Sequence, residues 1–141
     1  MAVASFENLC ADFCEIVGVS APTLKEDLLG RVAFHVTLRG TTVNLVHLPR
    51  ACPDHIFVLF ELGPIGPDSA ETSLDLQLLL EANFSLLKLN PPVFSRNPDT
   101  GDLVLQYVYS FFDASAHDLR ELIDDGIDLV VQWRERDLQF A

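Results

Sequence analysis

The segment from residue 69 to residue 87 constrains the fold of this chain more than any other. Asp68 or Ser69 can cap a helix there, with Glu71 in the first turn, where the helix dipole favours a carboxylate. More than one stripe of this helix is apolar: Leu74, Leu76, Leu78, Leu79, Leu80, Ala82, Phe84, Leu86 and Leu87. A helix that is apolar on most sides is buried on most sides. A chain of this size has room for one layer of helices on a sheet, so we expect a second copy to cover the remaining face.

The residues before this helix predict three antiparallel strands. Residues 31–39 alternate strictly between apolar and polar side chains, which is the period of a half-buried strand. Gly40 and Thr41 mark a hairpin turn, and residues 42–48 form the returning strand. Residues 55–62 are apolar on both faces, which predicts a central strand with cover on each side.

A second pair of strands is predicted after the leucine-rich helix. Pro91 and Pro92 restrict residues 92–96 to an edge strand, because proline cannot donate to a strand ladder. Residues 97–101 contain Pro and Gly in the positions typical of a turn, and residues 103–112 form the long strand that follows.

Two amphipathic helices are predicted at the ends of the chain. Residues 5–17 place Phe6, Leu9, Cys10, Phe13 and Val17 on one face, and Gly18 ends the helix. The last helix begins near Asp113 or Ser115, with Ser115 and Asp118 spaced as a capping box. Its apolar face carries Leu119, Ile123, Ile127, Val130 and Trp133. The order α-β-β-β-α-β-β-α predicts an α+β fold, a twisted antiparallel sheet packed with helices, in one domain spanning residues 1–141.

The charge balance excludes several classes of partner. Nine Lys and Arg face 21 Asp and Glu, giving a formal net charge of −12. Nucleic acid and anionic membranes are recognised chiefly by Lys and Arg, so neither is an expected ligand. The first residues lack the basic start and apolar run of a secretory signal, and no later run is long enough to span a bilayer. We therefore expect a cytosolic protein.

The cysteines are the one group with residue types suited to a metal. Cys10 and Cys14 lie one helical turn apart, with Cys52 and His55 later in the chain. This spacing differs from a C-x-x-C knuckle, and Cys10 lies on an apolar face, where a thiol acts as a small hydrophobic group. We predict core packing, reduced thiols and no metal. Nucleotide-binding glycine motifs are absent, so no cofactor is expected.

No catalytic residues are predicted from the sequence. The four histidines, at positions 35, 47, 55 and 117, give no support for a nucleophile–base pair and are predicted to be exposed or partly satisfied. Asp99 and Asp102 belong to the turn after Asn97, and Asp124, Asp125 and Asp128 form a solvated helix face. The alternative is a small acidic protein that uses the cysteines for a metal, or Asp99 and Asp102 for catalysis.

Two segments resemble a known family. Residues 78–83, Leu-Leu-Leu-Glu-Ala-Asn, end the leucine-rich helix, and residues 97–103, Asn-Pro-Asp-Thr-Gly-Asp-Leu, form the hairpin. With the element order, size and acidity, they resemble the class I type III secretion chaperones, the Tir chaperone family. The resemblance implies a homodimer in the bacterial cytoplasm that is not an enzyme. It would bind the N-terminal segment of a secreted effector in extended form and keep it competent for export, without ATP.

The resemblance also suggests where partners bind. An extended segment can add hydrogen bonds at a strand edge while its side chains enter apolar pockets. The predicted effector groove is lined by three residues of the first helix and three of the first strand: Phe6, Leu9, Phe13, Val32, Phe34 and Val36. The predicted dimer interface includes Leu86, Leu89, Val93 and Phe94.

Overall fold

The computed structural model describes residues 2–87, 90–111 and 115–138. Its elements are α1 (Ala2–Val17), β1 (Val32–Leu38), β2 (Thr41–Leu48), β3 (Cys52–Gly63), α2 (Ser69–Ser85), β4 (Val93–Arg96), β5 (Leu103–Ser110) and α3 (Ala116–Arg134). This order confirms the predicted α+β fold. Two elements begin three residues earlier than predicted. These are α1, which begins at Ala2, and β3, where a bulge between His47 and Leu48 brings Leu48 opposite Cys52.

The strands form one antiparallel sheet in the order β1-β2-β3-β5-β4. β3 is central, as predicted, and β1 and β4 are the edges. The face of the sheet that carries Phe60 packs against α1 and α3. The expected cover on the second face of β3 is incomplete, because Phe57 and Leu59 stay partly exposed there. Alternation along β3 therefore produces one buried face and one half-covered face.

Glycines set two of the chain reversals. Arg39 and Gly40 both have positive φ, 50° and 76°, and they join β1 and β2 as a two-residue turn. Two consecutive positive φ values define a type I′ turn, whose twist matches that of the flanking strands. The turn lies one residue earlier than the predicted Gly40-Thr41. Gly18, with φ of 76°, ends α1, and the Val19 amide donates to the Cys14 carbonyl at 2.9 Å.

Helix α3 matches its sequence pattern closely. Ser115 is the N-cap, and it forms the predicted capping box with Asp118. The side chains predicted to be buried are all 0–1% exposed: Leu119, Ile123, Ile127, Val130 and Trp133. Gly126 lies against the Phe60 ring, where a Cβ would overlap the ring carbons. The apolar stripe of α3 is thus fully used within the chain.

Helix α2 is capped by Asp68, whose carboxylate accepts a hydrogen bond from the Glu71 amide at 2.9 Å. Three of its residues are buried, namely Asp75, Leu79 and Ala82. Several of its apolar side chains are exposed: Leu74, Leu76, Leu80 and Phe84. The chain alone therefore does not supply the cover that the leucine content of α2 predicts. Within the described ranges, none of the helices combines the length and the hydrophobicity needed to cross a membrane.

His47 corrects one prediction. The other histidines are exposed, but His47 is 2% exposed and stacks on Phe6 with ring centroids 4.7 Å apart. Its Nε2 lies 3.0 Å from the Pro53 carbonyl oxygen. The alternation along β2 explains why His47 is buried, because it places His47 on the same face as buried Val43 and Leu45.

Candidate functional site

An open cavity of about 280 Å³ lies between the end of α1 and the edge strand β1. We call it the α1–β1 cavity. Its lining combines Cys14 of α1, the loop after Gly18 and one stretch of β1: Val19, Ser20, Pro22, Phe34, His35, Val36 and Thr37. The loop follows this path because Gly18 ends α1 beside β1. The cavity therefore joins an apolar floor to a strand edge.

The edge of β1 has hydrogen-bonding groups directed away from the sheet. The two-residue turn closes on the pair Leu38 and Thr41, which exchange hydrogen bonds in such a hairpin. Alternation then directs the backbone groups of Val36 and Phe34 toward β2, and those of His35 and Thr37 away from it. An extended chain lying against β1 could pair with the outward groups.

The structure separates the six predicted groove residues into two sets. Phe34 and Val36 line the α1–β1 cavity and are 9% and 6% exposed. Val32 is partly exposed at the start of β1. The three α1 residues lie in the core at 0–6% exposure: Phe6, Leu9 and Phe13. The cavity meets α1 at Cys14 instead, so the β1 residues are the members of this set that a partner could reach directly.

Sequence reasoning missed the other lining residues of this cavity. Val19 and Pro22 lie in the loop after α1, and His35 and Thr37 lie on the polar face of β1. Gly18 was the available signal for these lining residues. A helix that ends on glycine reverses the direction of the chain, so the residues after Gly18 return along α1.

A second candidate surface is an exposed apolar stripe along α2 and just beyond it. The stripe consists of four side chains that are 41–85% exposed: Leu76, Leu80, Phe84 and Leu87. The spacing of Leu76, Leu80 and Phe84 places these three on one side of α2, and Leu87 follows two residues after the helix ends. Leu74, 62% exposed, lies outside this stripe. Monomeric proteins seldom expose a continuous apolar surface of this kind unless it has a partner.

The described members of the predicted dimer interface lie around the end of this stripe. Val93 is 46% exposed and Leu86 is partly buried, whereas Phe94 is 5% exposed and packs inward. Leu89 lies outside the described residues. Asn83 joins α2 to β4 through two hydrogen bonds: the Phe94 amide donates to its Oδ1 at 2.8 Å, and its Nδ2 donates to the Phe94 carbonyl at 3.1 Å.

A buried carboxylate fixes the other end of α2. Asp75 accepts hydrogen bonds from Arg136 Nε at 3.0 Å and from the Gly66 amide at 3.0 Å. The Arg136 guanidinium also lies 3.9 Å from the centre of the Trp133 ring. Sequence reasoning missed this contact, because nothing in the local pattern around Asp75 indicates a buried carboxylate. The pair determines where α2 presents its apolar stripe.

The groups considered for chemistry have structural roles. Asn97 Oδ1 accepts a hydrogen bond from the Asp99 amide at 2.9 Å, and Thr100 Oγ1 accepts one from the Asp102 amide at 3.2 Å. Both contacts use backbone amides, and they place Asp99 and Asp102 in the predicted turn. Cys10 and Cys14 are buried in the core, and burial raises the pKa of both thiols, which disfavours the thiolate that a metal needs. In the described part of the chain, no group of three His, Cys, Asp or Glu could hold a metal ion.

Solved structures with the same fold are protein complexes. SycH of Yersinia pestis, bound to a fragment of YscM2, is 16% identical, with 90% of this chain and 98% of that chain covered and a TM-score of 0.62. For the ExsC–ExsE complex the identity is 12%, 94% of this chain and 92% of that chain are covered, and the TM-score is 0.73. For the HopA1–SchA chaperone–effector complex the identity is 15%, 93% of this chain and 94% of that chain are covered, and the TM-score is 0.67. No curated protein sequence matches the chain.

These structures define the fold class, that of small α+β proteins with one sheet and flanking helices. The family is more specific: the model of the Tir chaperone protein (CesT) family matches residues 8–134. The chain belongs to this family, as its two motifs and element order predicted.

Proposed function

We propose that this chain is a chaperone of a type III secretion system that holds the N-terminal region of a secreted effector in extended form. The match to the Tir chaperone family over residues 8–134 carries the proposal. The similar HopA1–SchA structure is a chaperone–effector complex, which supports the same role here. From the same family match we further propose that it acts as one domain in the bacterial cytoplasm, without ATP or catalysis.

The effector segment is proposed to lie along the edge of β1. Its backbone pairs with the outward groups of His35 and Thr37, and its apolar side chains enter the α1–β1 cavity above Phe34 and Val36. Val32 extends this surface toward the start of the strand. Phe6, Leu9 and Phe13 of the predicted groove support it from the core, where they hold α1 against the sheet.

A proline at position 35 tests this arrangement. His35→Pro removes one outward amide and leaves the inward hydrogen bonds of β1 in place, so the strand is retained as an edge strand. We expect this variant to lose most of the effector that co-purifies with the wild type from secreting cells. His35→Ala, which removes only the side chain, should retain it.

Truncating the co-purified effector identifies the region that is bound. Retention should require its N-terminal residues and no other region. Full retention by His35→Pro, binding through another region of the effector, or no client in actively secreting cells would each contradict the proposal.

Self-association is proposed to use the exposed stripe of α2 together with Leu86 and Val93, with Phe94 supporting this surface from the core. Leu89 stays part of the predicted interface and lies outside the described residues. Two copies that pack their stripes together would remove apolar area from water, which is the main driving force for such contacts. Leu80→Ser/Phe84→Ser should convert a dimer into a monomer in light scattering at micromolar concentration. Leu74→Ser, the same kind of change at an exposed leucine outside the stripe, should leave the dimer intact, whereas Leu80→Ser alone should weaken it. A wild-type chain that is monomeric under these conditions would refute the dimer.

A further inference from the structure

A loop just before β1 presents two leucines to solvent. Residues 27–30 form a tight turn, in which the Gly30 amide donates to the Asp27 carbonyl at 3.1 Å. The two corner residues of this turn are Leu28 and Leu29, which are 105% and 75% exposed. Turn corners usually carry Gly, Pro, Asn or Asp, whose backbone preferences or side-chain hydrogen bonds stabilise the turn. Leucine offers neither, so the turn itself does not account for this pair, which we call the Leu28-Leu29 tip.

Asp27 fixes the backbone of this tip. Its Oδ1 accepts hydrogen bonds from the Leu29 amide at 2.9 Å and from the Arg31 amide at 2.8 Å. Its Oδ2 accepts another from Arg31 Nε at 2.9 Å. Gly30 has a positive φ of 77°, which completes the reversal of the chain. The backbone of the tip is therefore well defined, while its two leucine side chains stay in water.

The same loop closes one end of the β1 edge. Arg31 precedes β1 by one residue, and the alternation that directs the backbone groups of His35 away from the sheet also directs those of Arg31 outward. Asp27 uses both of them: its amide donates to the Arg31 carbonyl at 2.8 Å, and its Oδ1 accepts from the Arg31 amide. Glu26 lies opposite Val32 in an isolated antiparallel bridge. An extended chain paired with His35 therefore has to leave the edge at this loop.

An open cavity of about 250 Å³ lies at the point where such a chain would leave the edge. It lies between the tip and the turn that joins β2 to β3, and its lining is mostly apolar: Leu28, Leu29, Gly30, Leu48, Arg50 and Ala51. A second copy of the chain does not account for this surface. The exposed stripe proposed for self-association belongs to α2, which packs at β4, the opposite edge of the sheet from β1.

We propose that the Leu28-Leu29 tip packs against an apolar side chain of the effector, placed just beyond the stretch of effector that pairs with the β1 edge. The inference rests on the proposed effector-binding edge and adds a determinant of which segments fit it. Continuity supports this occupant, because the loop that ends the edge is also the loop that carries the two leucines. Packing an aliphatic or aromatic side chain against the tip and Leu48 removes exposed apolar area from water, which favours binding. An effector segment with a polar residue at that point binds more weakly.

The N-terminal region of the co-purified effector, prepared as a synthetic peptide, is the probe, and calorimetry measures its affinity. Leu28→Ser/Leu29→Ser should weaken binding about tenfold or more, because it removes most of the apolar area of the tip. Leu28→Met/Leu29→Met, which keeps the tip apolar, should bind within about twofold of the wild type. Leu74→Ser, a change of an exposed leucine on α2, should do the same. All three variants should keep the thermal midpoint of the wild type, because the changed side chains are exposed.

A serine scan of the peptide locates the contact. Replacing one apolar residue of the peptide should weaken binding to the wild type and have little effect on binding to Leu28→Ser/Leu29→Ser. Such coupling is expected for side chains that are in contact.

Wild-type affinity in Leu28→Ser/Leu29→Ser, or a scan without a coupled residue, would overturn this inference alone if His35→Pro still loses the peptide. Full binding of the peptide by His35→Pro would overturn the proposed edge and this inference together. A change in oligomeric state caused by Leu28→Ser/Leu29→Ser would assign the tip to a second copy of the chain. Binding of the wild type to phosphatidylcholine vesicles that is lost in the same variant would assign the tip to a lipid surface. Either result would also overturn the inference.

Discussion

Helices α3 and α2 are similar in length and are both rich in apolar residues, yet the chain uses them differently. All five predicted core residues of α3 are at most 1% exposed, whereas α2 buries Asp75, Leu79 and Ala82 and leaves its stripe outside. Helix α3 is closed by a capping box and packed on β3. The comparison shows that one apolar helix completes the core and that the other leaves an apolar surface exposed.

The largest effect is expected from a matched pair of truncations. Ile127→Ala in α3 should reduce the free energy of unfolding by about 3 kcal/mol, because it opens a cavity at a fully buried site. Leu80→Ala in α2, where the side chain is 70% exposed, should cost less than about 0.5 kcal/mol in dilute protein. Urea unfolding at several protein concentrations measures both losses.

Concentration dependence sharpens this test. Association stabilises only the associated form, so the loss for Leu80→Ala should grow as the protein concentration rises. The loss for Ile127→Ala should stay constant. Equal losses in the two variants at every concentration would show that α2 and α3 are buried alike.

An intermediate loss of stability is expected when the contact between α2 and the segment after α3 is weakened. Asp75→Asn weakens the pairing with Arg136, and we expect it to lower the free energy of unfolding by about 2 kcal/mol, because the Asp75 side chain is 8% exposed. Asp128→Asn removes an exposed ion pair with Arg39 and should cost less than about 0.5 kcal/mol. Chemical denaturation compares the two, and similar small losses would mean that Asp75 does not anchor α2.

The smallest effect concerns the start of α3. Ser115→Ala removes the cap and should cost about 1 kcal/mol at neutral pH. The hydrogen bonds from Ser115 hold the pKa of Asp118 below its usual value, so their contribution is complete above the unfolded pKa, about 3.9, and is lost as the pH falls through the lower folded pKa. The stability difference between variant and wild type should shrink below about pH 4. A difference that does not change down to pH 2 would contradict this linkage.

Most of the fold could be predicted because it depends on local patterns. The stripe of α3, the Ser115 capping box and the central position of β3 all follow from spacing within one segment. Contacts between distant segments could not be predicted in this way. Asp75 contacts Arg136 only after the sheet has brought α2 and α3 together. The local pattern of one segment does not identify the other as its partner.

The candidate site could be predicted only in part for the same reason. Periodicity identifies the inward face of β1, which contains Phe34 and Val36, and the inward face of α1. It does not say which inward residues remain accessible at a cavity. That depends on the crossing of α1 over the sheet, which places Cys14 at the cavity and Phe13 in the core.

The strand order has a consequence for the way this chain folds. Strands β1, β2 and β3 follow one another in the chain and pair as neighbours, so they can form early through contacts of short sequence separation. Strand β5 pairs with β3 only after α2 and β4 have been made, which requires closing a much longer loop. During synthesis on the ribosome, the edge of β3 therefore remains unpaired while the apolar helix α2 emerges. An unpaired strand edge beside exposed apolar side chains favours aggregation during this interval.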